Sequence, residues 1–174
     1  MTMSISSAPA ATASAVSASL TSRDARPLGN AVATAGGLDG WFPSRVAVHP
    51  EAGTVSFSGD PNAEASSGRI LDWEPPNRWA FTWGGDLLEF AVEGTQTAAE
   101  LTLRNWLADS ATAARNAAGW HVCLRELERK LGGAPAAGPH AASGAQGPAD
   151  WRTLYDGYVA AGLPSGAPIP GQAP

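Results

Sequence analysis

His121 is the residue whose type and position could most readily move a proton, because imidazole titrates near neutral pH. It follows Gly119 and Trp120 in a Gly-Trp-His run. On a helical wheel, His121 lies toward the polar side with Arg125 and Glu128. That position favours a structural or surface histidine over a general base.

The other histidines and the cysteine do not form a metal site or a nucleophile pair. His49 falls in a turn at a strand end and His140 in a Pro/Gly/Ala linker, so no metal-ligand spacing arises. Cys123 is the sole cysteine, which excludes an internal disulfide. It lies beside the apolar stripe of a predicted helix, which favours a buried small hydrophobe over a reactive thiol.

The carboxylates considered as an acid/base pair are Asp72, Glu74, Glu89 and Glu93, all in predicted strands. Alternation turns most of them toward solvent, so a catalytic pair is the minority interpretation. Arg104 alternates with two leucines and is likewise expected to face solvent. There is also no phosphate-binding loop and no nucleophile elbow. The sequence therefore predicts no catalytic residue, no metal and no cofactor.

The strands that carry these residues are predicted by period-2 alternation. In residues 78–83, Trp79, Phe81 and Trp83 alternate with smaller residues. Ile70 and Trp73 are three apart, which predicts a β-bulge. Six strands are predicted in all: 45–48, 53–58, 68–74 and 78–83, one carrying Leu88, Phe90 and Val92, and one carrying Leu101 and Leu103.

One long amphipathic helix follows the last predicted strand. Asp109 or Ser110 can cap its start, and Gly132 with Gly133 ends it. A helix laid across an antiparallel sheet buries one face of each, so the predicted fold class is α+β. The apolar stripe of the helix is Ala113, Ala117, Trp120, Leu124, Leu127 and Leu131.

The remaining segments are rich in small residues, Gly and Pro. Residues 1–37 show little hydrophobic periodicity and are expected to be disordered or non-native. Residues 38–132 form the predicted domain, followed by a linker at 133–149. Residues 150–163 are predicted to form a short helix that docks on the domain, and residues 164–174 a disordered tail.

Charge and hydropathy restrict the partners. A net charge of −5 and a pI near 5.1 argue against a nucleic-acid or anionic-membrane surface. No apolar run approaches the roughly 18 residues of a membrane span. The N-terminus lacks the basic and apolar regions of a secretory signal, so a cytoplasmic protein is predicted.

Several motifs together resemble a known superfamily. They are LDGWFPS, GRILDWEPPNRWAFTW, AELTL, AAGWHVCLRELERKL and WRTLYDGYV, in this order between Leu38 and Leu163. They resemble the bacterial START-like (SRPBCC) superfamily, and within it the branch named after the activator of heat-shock protein 90 ATPase. The resemblance implies a helix-grip fold, in which a long C-terminal helix closes a curved antiparallel sheet around an apolar pocket.

The resemblance also implies a function for the aromatic face of the sheet. The residues alone favour an ordinary core, whereas the fold uses this face to bind a hydrophobic small molecule. The alternatives are a polyketide cyclase or aromatase-type enzyme, and a co-chaperone-like interaction module with a protein partner or a second copy. The predicted cavity-lining residues are Phe57, Ile70, Trp73, Trp79, Phe81, Trp83, Phe90, Trp120, Leu124 and Leu127.

The segment before Leu38 departs from the family pattern of a long first strand and a helix with a Val-Trp pair. We hypothesise a shifted reading frame there. Leu28-Gly29 can be encoded CTG-GGN, which contains the tryptophan codon TGG one base out of frame. If the sequence is in frame, the sheet is expected to lack an edge strand. Resequencing the locus tests this.

Overall fold

The computed structural model describes residues 3–10, 13–23, 25–95, 97–140 and 148–169. Strands and helices are grouped separately along the chain in an α+β arrangement, with two short 3-10 turns at Pro50–Ala52 and Ser110–Thr112. The strands are β1 (Met3–Ala10), β2 (Ala13–Ser22), β3 (Arg45–His49), β4 (Thr54–Ser58), β5 (Ser66–Glu74), β6 (Arg78–Trp83), β7 (Asp86–Gly94) and β8 (Ala99–Trp106). The helices are α1 (Ala25–Ala33), α2 (Ala35–Leu38), α3 (Ala113–Leu131) and α4 (Pro148–Ala160).

The described strands form one antiparallel sheet in the order β1-β2-β8-β7-β6-β5-β4-β3. Strands β3 to β8 follow the chain as a meander, and β2 then pairs with β8 from Ala15 opposite Trp106 to Ser22 opposite Ala99. Helix α3 contacts the sheet on one face and contributes Trp120, Leu124 and Leu127 to the main core. This confirms the predicted antiparallel sheet with a long C-terminal helix across it.

All six predicted strands are present as β3 to β8. The predicted bulge is confirmed as well, because the pairing of β5 with β6 shifts register between Ile70 and Asp72. The extra residue, Leu71, is 50% exposed, which makes it the most exposed large hydrophobic side chain among the described residues. The alternation of apolar side chains was therefore a sufficient signal for this part of the sheet.

The segment before Leu38 differs from the expectation of disorder. Its described residues form β1, β2, α1 and α2. The sheet therefore does not lack a strand at this end, because β2 pairs with β8 and β1 forms the edge beyond it. In β2, Val16, Ala18 and Leu20 are buried against the core. These residues alternate with Ser17, Ser19 and Thr21, but their small average size obscured the period-2 pattern. The reading-frame hypothesis itself stays a prediction.

Helix α1 is held at its C-terminal end by two indole groups, one from β6 and one from the turn after α2. The last carbonyls of a helix have no partner inside it. Trp79 donates its Nε1–H to the carbonyl of Val32 at 2.8 Å, and Trp41 donates to that of Ala31 at 3.0 Å. The two tryptophans thus satisfy the end of α1 and fix it over the aromatic face.

The C-terminal end of α3 is fixed to α2 by Lys130. Its Nζ donates to the carbonyls of Gly36, Gly37 and Asp39 at 2.9, 2.8 and 2.6 Å. An ammonium has three protons, so all of its donors are used here. At the other end of the helix, Asp109 caps the turn that leads into α3 by accepting from Ala111 N at 2.9 Å.

The short helix α4 contacts α3. Tyr158 and Leu163 pack against a second apolar cluster formed by Val16, Leu107, Ala113 and Ala117. The chain beyond α4 differs from the disorder expected there, because its described part runs along the start of α3. The carbonyl of Pro164 accepts a hydrogen bond from the backbone N–H of Ala114 at 2.9 Å, and the carbonyl of Pro168 accepts one from the side-chain Nη1 of Arg115 at 2.9 Å.

Candidate functional site

The predicted ligand-binding residues converge between the sheet and α3. Seven of the ten are buried in one hydrophobic cluster, and Ile70, Trp73 and Trp83 are partly buried against it. Strand pairing explains the convergence, because Trp79 lies opposite Phe90 and Phe81 lies opposite Leu88 on the same face. Their role in binding a ligand stays a prediction. The seven buried members are Phe57, Trp79, Phe81, Phe90, Trp120, Leu124 and Leu127.

Phe42 is the ring that connects the sheet aromatics to α3. Its centroid lies 6.2 Å from that of Phe57, 5.6 Å from that of Trp83 and 5.8 Å from that of Trp120. Trp83 and Trp120 are themselves 5.5 Å apart. These separations are typical of interacting aromatic pairs. Phe42 was outside the predicted set, although the LDGWFPS motif that contains it was a usable signal.

A buried polar network lies beside the aromatic cluster, at the end of α3 nearer Asp109. Asn105 is fully buried, and its Oδ1 accepts from Trp120 Nε1 at 3.0 Å and from Asn116 Nδ2 at 2.9 Å. Its Nδ2 donates to Asp86 Oδ2 at 2.8 Å. Asp86 also accepts from the backbone N–H of Ala108 at 2.9 Å. The network joins β7, β8 and α3 and fixes the indole of Trp120.

Sequence reasoning missed this network because its members are far apart in the chain. Asn105 continues the alternation of Leu101 and Leu103, which puts it at an inward position, but an asparagine there gives no hint of its partners. The nearest signal was Asn116, a polar residue on an otherwise apolar turn of α3.

His121 lies between α3 and α4 rather than in the aromatic cluster. Its Nδ1 is 2.7 Å from the hydroxyl of Tyr158, and the two ring centroids are 6.1 Å apart. Burial raises the pKa of the Tyr158 hydroxyl, and the charge of Arg125 offsets part of that shift. The contact joins the two helices, which is a structural role for this histidine.

Two of the strand carboxylates are held in ion pairs by arginines from neighbouring strands. Asp72 lies 2.7 Å from Arg78 Nε, and Glu89 lies 3.3 Å from Arg104 Nη1. By alternation these residues are on the face of the sheet opposite α3. Their separation from the aromatic cluster agrees with the prediction that most strand carboxylates turn away from it.

Cys123 is buried in the main core, as predicted for a small hydrophobe. Burial, and secondarily the charge of Asp60, raises the pKa of its thiol far above the usual range. The thiol is therefore protonated and shielded from reagents in the solvent.

A surface cavity of about 470 Å³ lies away from the aromatic cluster, near the ends of β2 and β8. None of its lining residues belongs to the predicted set. The described residues contain no group of three His, Cys, Asp or Glu side chains placed to hold a metal ion. Within the same part of the chain, none of the helices has the length and hydrophobicity needed to cross a bilayer. The cavity is lined by Thr21, Ser22, Arg23, Thr97 and Ala98.

Comparison with solved structures identifies the fold. The protein EF2215 of Enterococcus faecalis, described as conserved and of unknown function, superposes with a TM-score of 0.69 at 13% identity over 90% of this chain and 89% of its own. CalU16 of Micromonospora echinospora gives 0.66 at 18% identity, over 91% and 94% of the two chains. The Aha1 dimer of Colwellia psychrerythraea gives 0.53 at 17% identity, over 67% and 95%.

The chain has the SRPBCC/Aha1-like helix-grip fold. Neither a protein-family model nor a curated protein sequence matches it. The helix-grip elements correspond to those implied by the sequence motifs: the antiparallel sheet, the long helix α3 across it and the aromatic face between them. At these identities the likeness establishes the fold alone.

Proposed function

We propose that this protein binds a hydrophobic small molecule between the sheet and α3. The observation that supports the proposal is the continuous aromatic cluster around Phe42, which adjoins a single buried polar network at Asn105. Small-molecule sites are commonly apolar surfaces with a few fixed polar groups. In this arrangement the rings supply contact area, and the hydrogen bond to Asn105 holds the indole of Trp120 in one orientation.

The bound ligand separates rings that are in contact without it. Phe42 lies in the loop before β3, Trp83 on β6 and Trp120 on α3, so a ligand among these rings contacts three different elements. Burying about 300 Å² of ligand surface contributes ~7 kcal/mol at ~25 cal/mol per Å², before the cost of immobilising the ligand and moving the rings. Affinity therefore depends chiefly on ligand area and fit.

Trp83 provides the variant that tests this site. It is only partly buried, so Trp83→Ala removes contact area at the cluster with less loss of stability than a fully buried ring. We expect the purified protein to carry a hydrophobic molecule in native mass spectrometry and to bind 1-anilinonaphthalene-8-sulfonate. Trp83→Ala should weaken binding of that probe about tenfold, because one large ring contributes on the order of 1–2 kcal/mol of contact.

The matched control is Trp106→Ala. Trp106 is also a partly buried strand tryptophan, but alternation along β8 puts it on the face opposite α3. This variant should bind the probe as the unchanged protein does. A protein that is consistently empty and does not bind the probe contradicts the proposal, as does an equal loss in the two variants.

Self-association is the second candidate, because one of the fold neighbours is described as an Aha1 dimer. A second copy of the chain would then be the partner, and the helix-grip domain would act as an interaction module. Sedimentation equilibrium over a range of protein concentrations tests it. A rising average mass that fits a monomer–dimer equilibrium supports the candidate, and a single monomer mass throughout contradicts it.

A further inference from the structure

The chain after α3 does not leave the domain but turns back along the helix. Gly133, with φ of 78°, reverses the chain direction, and Ala134 N donates to Arg129 O at 2.9 Å. Glycine is suited to this left-handed conformation because it has no Cβ. Residues 134–140, here termed the strap, then run from the end of α3 toward its middle. Their Ala, Gly and Pro composition is that of a linker.

Two polar groups hold the strap. The Glu126 carboxylate accepts the N–H groups of Ala137 and Gly138 through Oε2, at 2.9 and 3.3 Å. The His140 ring lies with Nε2 3.1 Å from the carbonyl of Pro43 and 3.4 Å from Asp60 Oδ1. These contacts fasten the strap to α3, to the loop before β3 and to the loop between β4 and β5.

The strap lies at the junction between α3 and the loop between β4 and β5, on the side of α3 that carries Cys123. Cys123 lies three residues before Glu126 and therefore on the same side of α3. It is 3% exposed and belongs to the same core cluster as Phe42 and Phe57. Asp60, which His140 contacts, is near enough for its charge to act on the Cys123 thiol. The strap is thus held by Glu126, on the side of α3 that carries Cys123, and by the loop that contains Asp60.

The strap is held more weakly than the core beneath it. Apart from His140 it consists of Ala, Gly and Pro, so no large apolar side chain fastens it. Segments held by a few exposed hydrogen bonds open locally at a much lower free energy than global unfolding. Local release of the strap would uncover the junction while the sheet and α3 remain folded.

We propose that residues 134–140 form a strap that closes the junction between α3 and the β4–β5 loop, and whose local release admits small molecules to the interior. The proposal goes beyond the proposed function, since it concerns access to the interior and not the identity of a ligand. Its closed state is held by Glu126 and His140.

Cys123 is a built-in reporter of the open state. As the only cysteine, it gives a single product with methyl methanethiosulfonate, a small neutral reagent that transfers its methylthio group to the thiol and releases methanesulfinate. We expect the double variant Glu126→Ala/His140→Ala to be labelled about tenfold or more faster than the unchanged protein, because each lost contact favours the open state. Intact-mass spectrometry of timed samples measures the rate.

The matched control is Arg152→Ala/Asp156→Ala, which removes an exposed ion pair of 3.0 Å on α4. It should be labelled at the rate of the unchanged protein. Low urea concentrations separate strap release from global unfolding, because the denaturant dependence of an opening reaction scales with the surface it exposes. A labelling rate that is nearly independent of urea concentration supports local release of the strap. Equal rates in all three proteins, or rates that rise with urea as steeply as global unfolding, overturn it.

Discussion

Replacing Trp79 by alanine is expected to lower the free energy of unfolding by about 3–5 kcal/mol, the range found for large aromatic residues removed from cores. Trp79 is completely buried and stacks on Phe81 at a centroid distance of 4.2 Å. Its Nε1–H also satisfies the carbonyl of Val32 at the end of α1. The substitution therefore leaves a cavity in the aromatic face and removes the bond that fixes α1 to the sheet.

Thermal unfolding followed by circular dichroism measures this effect. For a chain of this size the loss corresponds to a fall in Tm of about 6–20 °C, at ~2–4 °C per kcal/mol. The Tm of Trp79→Phe should lie between those of the unchanged protein and Trp79→Ala, since phenylalanine retains a ring but not the indole N–H. Leu71→Ala is the control, because this leucine is half exposed at the β5 bulge and its removal should change stability by less than ~0.5 kcal/mol. Equal Tm values for Trp79→Ala and Leu71→Ala would contradict the assigned packing.

The elements that sequence reasoning predicted are those whose signal is local. Strand β6 alternates large aromatic residues with small ones, and α3 repeats apolar residues at helical spacing, so each pattern is visible within a dozen residues. The apolar part of the candidate site followed directly, because the inward positions of a sheet are fixed once the alternation is known. Phe42 was the exception, since it lies in a turn where no periodicity applies.

The elements that it missed depend on distant partners. Strand β2 is built from Ala, Ser and Thr and gains its stability by pairing with β8, about 85 residues later. The strap has the composition of a flexible linker, yet it is held by Glu126 and by the loop that contains Asp60. In both cases the residues that determine the conformation lie outside the segment. Composition alone therefore predicted disorder for the segment that contains β2 and a linker for the strap.

The Asn105 network supplies a second large effect, and one that depends on pH. Asn105→Leu is expected to cost about 1–3 kcal/mol, because the buried indole N–H of Trp120 loses its acceptor. The substitution also removes one donor to Asp86, but it introduces no titratable group. Its cost should therefore change much less with pH, in urea unfolding experiments, than that of an acidic residue at this position.

Asn105→Asp retains the acceptor for Trp120 but exchanges the amide for a carboxyl oxygen about 2.8 Å from Asp86 Oδ2. Two carboxylates this close cannot both ionise at low cost, so the pKa of the introduced carboxyl rises above the ~3.9 of an unfolded aspartate. The folded state then binds more protons than the unfolded state, and the free energy of unfolding falls as pH increases. We expect Asn105→Asp to approach the stability of the unchanged protein near pH 4. At higher pH, its free energy of unfolding should fall by about 1.4 kcal/mol for each unit by which the pKa of the introduced carboxyl is raised.

The contrast between the two variants isolates the network from simple packing. Both alter the same buried position, but only the aspartate variant should lose stability between mildly acidic and neutral pH relative to the unchanged protein. Urea unfolding at a series of pH values measures the difference. Parallel pH profiles for Asn105→Leu and Asn105→Asp would show that residue 105 does not face Asp86. A profile that falls for the aspartate variant alone would place the carboxylate of Asp86, the amide of residue 105 and the indole of Trp120 in one buried network beside the aromatic cluster.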